Sequence, residues 1–195
     1  MRILTGLICA TSLLVTAPAF AGGHSTWKSV PEESSIAFGS VKKDTVGEVH
    51  HFETVNGTVA DSGEISITID LASVETNIDI RNERIAKHVF QDGAATAVIS
   101  GTIGMEEVNA LKAGETAIVD IEAKLAFAGG ETDIEAEMLV ARLSENRVLV
   151  TTADFIMMPT ADLGIDEGVN MLMKLAKLPG ITRVTPVAVR LVFQK

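Results

Sequence analysis

The tightest constraint on this chain is the alternation that runs from Thr116 to Val140. Ala117, Val119, Ile121, Ala123, Leu125 and Phe127 occupy one face of an extended segment, and Asp120, Glu122 and Lys124 occupy the other. After Gly129-Gly130 the returning segment repeats the pattern: Ile134, Ala136, Met138 and Val140 lie on one face, with Asp133, Glu135 and Glu137 on the other. A period of two places successive side chains on opposite faces of a strand. The Gly129-Gly130 pair between the two runs predicts a two-residue hairpin turn. This hairpin is apolar on one side and charged on the other, so its apolar face has to be covered.

The rest of the chain supplies strands of the same kind. Ile65, Ile67, Ile69 and Leu71 alternate with Glu64, Ser66, Thr68 and Asp70 behind an Asp61-Ser62-Gly63 turn. Val46 to Val59 reads as two strands bent at Asn56-Gly57, or as one strand bulged there. Ala95 to Ile103, Arg147 to Ile156 and Val184 to Phe193 complete the set, with a turn at Ser144-Glu145-Asn146. Two stretches change to helical spacing. Ile78, Ile85, Ala86, Val89 and Phe90 follow a cap at Asn77 or Asp79 and end at Gly93. Val169, Leu172, Met173 and Ala176 form the apolar face of a helix over Asp162 to Leu178, ended by Pro179-Gly180. Met105 to Leu111 is one helical turn or an excursion. About eight antiparallel strands with short helices fit either a closed barrel or a sandwich. Strands of about ten residues fit the up-and-down barrel better.

The N-terminus reads as a cleaved secretory leader. Arg2 is the positive end, Ile3 to Val15 the apolar run, and Ala19-Phe20-Ala21 the small-residue cleavage site. The apolar run is shorter than the roughly 20 residues a membrane span needs. Cleavage after Ala21 leaves 22–195 as one domain, and it removes Cys9, the chain's one cysteine. Ile8 before Cys9 does not suit a lipoprotein signal. A secreted domain without disulfides must be held by packing, and the expected compartment is the bacterial periplasm. The full chain has a net charge of −10, and the leader holds Arg2 and no acidic residue, so the mature chain is one unit more negative. Such a surface disfavours nucleic acid and anionic headgroups as partners.

The inward residues decide what a barrel of this size contains, because eight strands enclose either packed side chains or one small ligand. Aromatic residues make up only 4% of the chain and tyrosine is absent, so little bulk is available to plug the interior. Small residues such as Ala117, Ala123 and Ala136 leave further room. The expected lining is Phe38, Phe52, Val119, Ile121, Leu125, Phe127, Ile134, Met138 and Phe155. Met171 and Met173 join it from the second helix, where flexible thioethers adapt to irregular apolar surfaces. The expected ligand is a long apolar chain, with no headgroup anchor evident: Arg81 and Arg84 read as surface residues paired with neighbours such as Glu83.

Catalytic signatures are missing. The chain has no Gly-x-Ser-x-Gly elbow, no His-Glu-x-x-His, no phosphate loop and no thiol beyond the leader. His50 and His51 are adjacent on a strand, so they face opposite ways and cannot chelate one ion. His24 falls in the flexible start. The carboxylates alternate outward, with none evident inside. No enzyme activity, cofactor or metal site is expected from these residues.

The segment Ser73-Val74-x-Thr76, then Arg81-Asn82, Ile85 and Phe90, resembles the signature of the YceI-like family, which runs Ser-Ile-x-Thr, Arg-Asp, Leu, Phe. Trp27, Pro31, Ser34-Ser35 and Ile36-Ala37-Phe38 resemble that family's opening strand, and Asp162-Leu163-Gly164-Ile165 is similar to its Asp-Phe-Gly-Ile. The resemblance spans Trp27 to Phe193. It departs where the family's Tyr-Pro is replaced by Gly93-Ala94-Ala95-Thr96, where a doubled Phe is the lone Phe90, and where a Met-rich helix follows Gly164. The resemblance implies an all-β, mainly antiparallel fold: an eight-stranded, lipocalin-like up-and-down barrel with two short helices. It also implies an amphiphilic lipid ligand, such as an isoprenoid quinone or another polyisoprenoid; the expected carrier is a periplasmic monomer or homodimer. The rival expectation is a filled barrel acting as a stress-response or redox scaffold, with a membrane redox protein as partner.

Overall fold

The computed structural model describes residues 26–90 and 96–195. The leader with Cys9, the start with His24, and the Gly93-Ala94-Ala95 stop lie outside the described residues. The strands in chain order are β1 (Thr26–Ser29), β2 (Ser35–Lys42), β3 (Val46–Phe52), β4 (Val55–Ala60), β5 (Glu64–Asp70), β6 (Val74–Glu75), β7 (Thr96–Thr102), β8 (Thr116–Phe127), β9 (Gly130–Ser144), β10 (Arg147–Thr152), β11 (Ile156–Pro159) and β12 (Val184–Gln194). The helices are α1 (Asp79–His88), α2 (Met105–Ala110) and α3 (Asp166–Ala176).

Eight strands close into an antiparallel barrel in the order β1-β4-β5-β7-β8-β9-β10-β12, with β12 returning to β1. The remaining strands are upward continuations of barrel strands. A 3-10 turn at Pro31–Glu33 divides β1 from β2, and a second at Leu71–Ser73 divides β5 from β6. Glu53-Thr54 divides β3 from β4, and Ala153–Phe155 divides β10 from β11. The long β12 spans both levels. Its lower end pairs with β1 and β10, and its upper end pairs with β2 and β11. The lower level is therefore a closed ring. The upper level separates into two walls, β6-β3-β2-β12-β11 and β7-β8-β9.

The β8–β9 hairpin keeps the faces read from its alternation, with Val119, Ala123, Leu125, Ile134, Met138 and Val140 all buried. Lower down, α2 and the buried Trp27 close the ring. Arg142 stacks its guanidinium 5.1 Å from the Trp27 ring and donates from Nη2 to the Val108 carbonyl at 2.7 Å.

Several boundaries differ from the sequence expectation, each for a local reason. Among the described residues there are three helices rather than two, because Met105–Ala110 forms a short helix that buries Val108. The bend expected at Asn56-Gly57 lies at Glu53-Thr54 instead. Gly57 sits inside β4, where a Cβ would come within 2.5 Å of Ile67 Cδ1 and 3.3 Å of Phe193 Cε1. Arg147 to Ile156 is not one strand but is interrupted after Thr152. The cap of α1 is Ile78, with no side-chain hydrogen bond, while Asn77 takes the left-handed conformation just before it. The helix α3 starts at Asp166 rather than Asp162, because Thr160 to Ile165 closes a turn through the Ile165 N–H to Thr160 carbonyl bond. It ends at the left-handed Lys177, where the Leu178 N–H donates to the Met173 carbonyl, before Pro179 is reached.

The hairpin turn is also displaced by one residue. Phe127 pairs with Gly130, so the two loop residues are Ala128 and Gly129, at φ 48° and 84°. Both signs are those of the tight turn that matches strand twist, but the left-handed region strains an alanine. Ala128→Gly is expected to stabilise the fold by about 0.5–1 kcal/mol, read as a higher urea midpoint with an unchanged m-value.

Candidate functional site

The space between the two upper walls is a cavity of about 450 Å³. It lies within the range of about 300–1,000 Å³ typical of ligand pockets. A second, smaller cavity of about 120 Å³ lies beneath it inside the closed ring. Ile36, Ile99, Ile134, Ile156 and Val189 line both, so the two are successive compartments of one apolar interior.

Alternation builds the walls. In β2 and β3 the even-numbered residues face inward: Ile36, Phe38, Ser40 and Lys42 on one strand, Glu48, His50 and Phe52 on the other. Phe38 and Phe52 meet at 5.3 Å between ring centroids, Phe52 and Phe90 at 5.9 Å, and Phe90 and Phe127 edge-on at 5.6 Å. This aromatic belt crosses the cavity from β2 through α1's end to β8. The roof comes from the two helices, with Ile85 and Arg81 from α1 and Val169 and Leu172 from α3. The helices pack closely at Gly168, where a Cβ would come within 2.4 Å of the His88 carbonyl oxygen.

The upper end of the cavity is polar. Arg81 Nη1 and Lys42 Nζ both donate to Glu48 Oε1 at 2.7 Å, and Arg81 Nη2 donates to the Thr76 carbonyl at 2.5 Å. Asn82 Oδ1 accepts from the Thr76 N–H at 3.0 Å and from its hydroxyl at 2.5 Å, which locks the start of α1 against β6. One step deeper, Ser40 Oγ and His50 Nε2 lie 3.2 Å apart, and the imidazole packs 5.2 Å from the Phe38 ring. The cavity thus runs from ions through a neutral hydrogen-bonded pair and an aromatic belt to an aliphatic floor. That gradient matches an amphiphile with its head at the mouth and its tail below.

The expected lining residues divide into three groups. Phe38, Phe52, Leu125, Phe127 and Ile134 line the larger cavity. Val119, Ile121, Ile134 and Met138 line the smaller one. Phe155, Met171 and Met173 line neither, which corrects the expectation for these three. Phe155 is 69% exposed, because it lies in the break before β11, after which Ile156 and Met158 take the inward positions. Met171 is 38% exposed on the outer side of α3. Met173 is engaged by Arg183 Nη2, 3.5 Å from its sulfur.

Sequence reasoning missed the polar end. Glu48 is an inward carboxylate, and Arg81 reaches it across the cavity rather than pairing with Glu83 on its own helix. The signal was present in the parity of β3, since Glu48 and His50 share the face of Phe52. The pairing across strand and helix, 33 residues apart, had no local signature.

Burial sets the protonation of this end. Burial, with the Arg81 charge next, pushes the His50 imidazole down to about 4, so at neutral pH it is an uncharged hydrogen-bonding group. Burial pushes the Glu48 carboxyl up, but its bonds to Arg81 and Lys42 outweigh this and hold it below its ordinary value. The imidazole of the unfolded chain, near 6.5, takes up its proton before the folded one does. Acidification from about 6.5 to about 4 therefore lowers stability. The urea midpoint is expected to fall with pH across that window, and His50→Gln should flatten the slope.

Comparison with known proteins agrees with this architecture. The family model of the YceI-like domain matches residues 27–176. A polyisoprenoid binding domain from Saccharophagus degradans, implicated in plant cell wall breakdown, superimposes with a TM-score of 0.84 at 31% identity, covering 86% of this chain and 97% of that one. BcnA of Burkholderia cenocepacia shares the fold with a TM-score of 0.64 at 16% identity, covering 84% of this chain and 98% of its own. No curated protein sequence matches the chain. With its closed eight-stranded barrel, its roofed cavity and the family model matching most of its length, the chain belongs to the YceI-like family.

Proposed function

We propose that this protein is a periplasmic lipid carrier that holds one polyisoprenoid-type chain, an isoprenoid quinone or a similar amphiphile, along the barrel interior. The observation that carries the reading is the graded cavity. Its aliphatic floor and aromatic belt suit a branched hydrocarbon chain, held by burial at about 25 cal/mol per Å². Ser40, His50, Arg81 and Lys42 offer hydrogen bonds where the headgroup would sit. The similarity to the polyisoprenoid binding domain of Saccharophagus degradans supports the same class of ligand. A filled scaffold is disfavoured by the same cavity, because a barrel plugged with side chains leaves no space of this size.

Native mass spectrometry of protein purified without detergent is the direct test. The wild type is expected to carry an apolar species that organic solvent extracts. Ile134→Trp, placed in the wall common to both compartments, is expected to keep the strand signature in circular dichroism and to retain at least about tenfold less of that species. Repeated recovery of an empty wild-type protein would reject the carrier reading.

A further inference from the structure

The outer surface of this barrel is strongly polarised. On β8 and β9 the outward pairs are Asp120 with Glu137, Glu122 with Glu135 and Lys124 with Asp133, a heavily charged and mostly acidic face. The wall made by β3, β2, β12 and β11 is the opposite. Its central outward row is Val49, Gly39, Pro186 and Met157: Val49 pairs with Gly39, Met157 pairs with Pro186, and a Cβ on Gly39 would lie 2.9 Å from the Pro186 ring. On these four strands the outward rows on either side carry no charge, with His51 their one titratable group; at the wall's edge His51 pairs with Glu75 of β6. Val49 is 60% exposed, and Phe155, just before β11, adds a largely exposed ring. The inward residues of these same four strands line the larger cavity. The exposed apolar face is thus the back of the cavity wall, and at the start of α1 Ile78 and Ile80 are both exposed and cavity-lining.

We propose that this face rests on the uncharged, zwitterionic surface of a lipid bilayer and brings the cavity mouth to the membrane. Three observations choose that occupant. First, four strands about 4.8 Å apart with three outward rows about 6.8 Å apart give a patch of about 400 Å², roughly half of the about 800 Å² per partner that a stable dimer buries. Second, the patch lies on the upper level, as do the exposed and cavity-lining Ile78 and Ile80, so docking there brings an apolar part of the mouth toward the membrane. Third, these three rows present no positive charge to attract anionic headgroups, while Glu75 at the wall's edge and the chain's net −10 repel them. No described helix is long and apolar enough to cross a bilayer, so the contact is interfacial. This proposal stands on the outer surface and does not depend on the identity of the cargo.

Vesicle flotation tests it. Phosphatidylcholine vesicles are expected to retain the processed chain, residues 22–195, and retention should survive high salt. Adding phosphatidylglycerol should weaken retention at low salt, with salt restoring it by screening. Phe155→Asp with Met157→Asp is expected to lower retention at least about tenfold, since each loses an apolar contact and adds a charge. Neither residue lines the cavity, so the same variant should keep its extractable lipid and its circular dichroism. Lost vesicle binding with retained cargo separates this proposal from the carrier reading. The proposal is overturned by any of three results: no retention on phosphatidylcholine, equal retention of the variant, or light scattering that shows a stable dimer which the Asp substitutions dissociate.

Discussion

The structure depends on how the hydrogen bonds of β12 are divided. Backbone groups in a strand must be paired or wetted, and β12 meets that demand at two levels with four partners. Below, its pairing with β1 closes the ring and removes the open edges that would invite association with other chains. Above, its pairing with β2 and β11 carries the wall upward without closing it. A uniform eight-stranded tube would be narrow enough for side chains to fill. Four strands broken in mid-course, with the unbroken β12 joining both levels, give a tight lower ring with a wider chamber above it.

The chamber stays open because of which residues face it and what roofs it. Isoleucine, valine and phenylalanine give stiff walls, and α1 and α3 cover the top rather than insert into the space. At the mouth one carboxylate, Glu48, accepts from both Lys42 and Arg81. Taking such ions deeper would cost more desolvation than their attraction returns. The buried His50 lies at the boundary and meets the same demand by staying neutral.

Much of this was readable from residue order alone, and the limits follow a physical pattern. The inner and outer faces of the β8–β9 hairpin were legible because they are strongly contrasted over its length. Its turn was off by one because glycine doublets do not say which member takes the left-handed position, and here an alanine does. Phe155 misled because a strand break resets parity, and nothing in Thr152 to Ile156 marks one. Met171 and Met173 misled for another reason. Helical spacing shows that an apolar face exists, but the angle at which α3 meets α1, set by the contact at Gly168, decides which residues reach the cavity. Glu48 and Arg81 read as solvated charges because in most strands and helices such residues are.

Alternation and turn chemistry determine by themselves that this chain makes antiparallel strands with one apolar face, and the resemblance carried by Ser73 to Phe90 points to a barrel. These are local properties, since each strand's two faces are written in neighbouring residues. Only the tertiary structure decides that the barrel is closed below and parted above, that the interior holds space, and that its mouth is polar. Those outcomes depend on pairings between residues far apart in the chain, such as Ser35 with Arg190 and Arg81 with Glu48. Closure geometry and desolvation select such pairings from many alternatives that local pattern leaves equally acceptable.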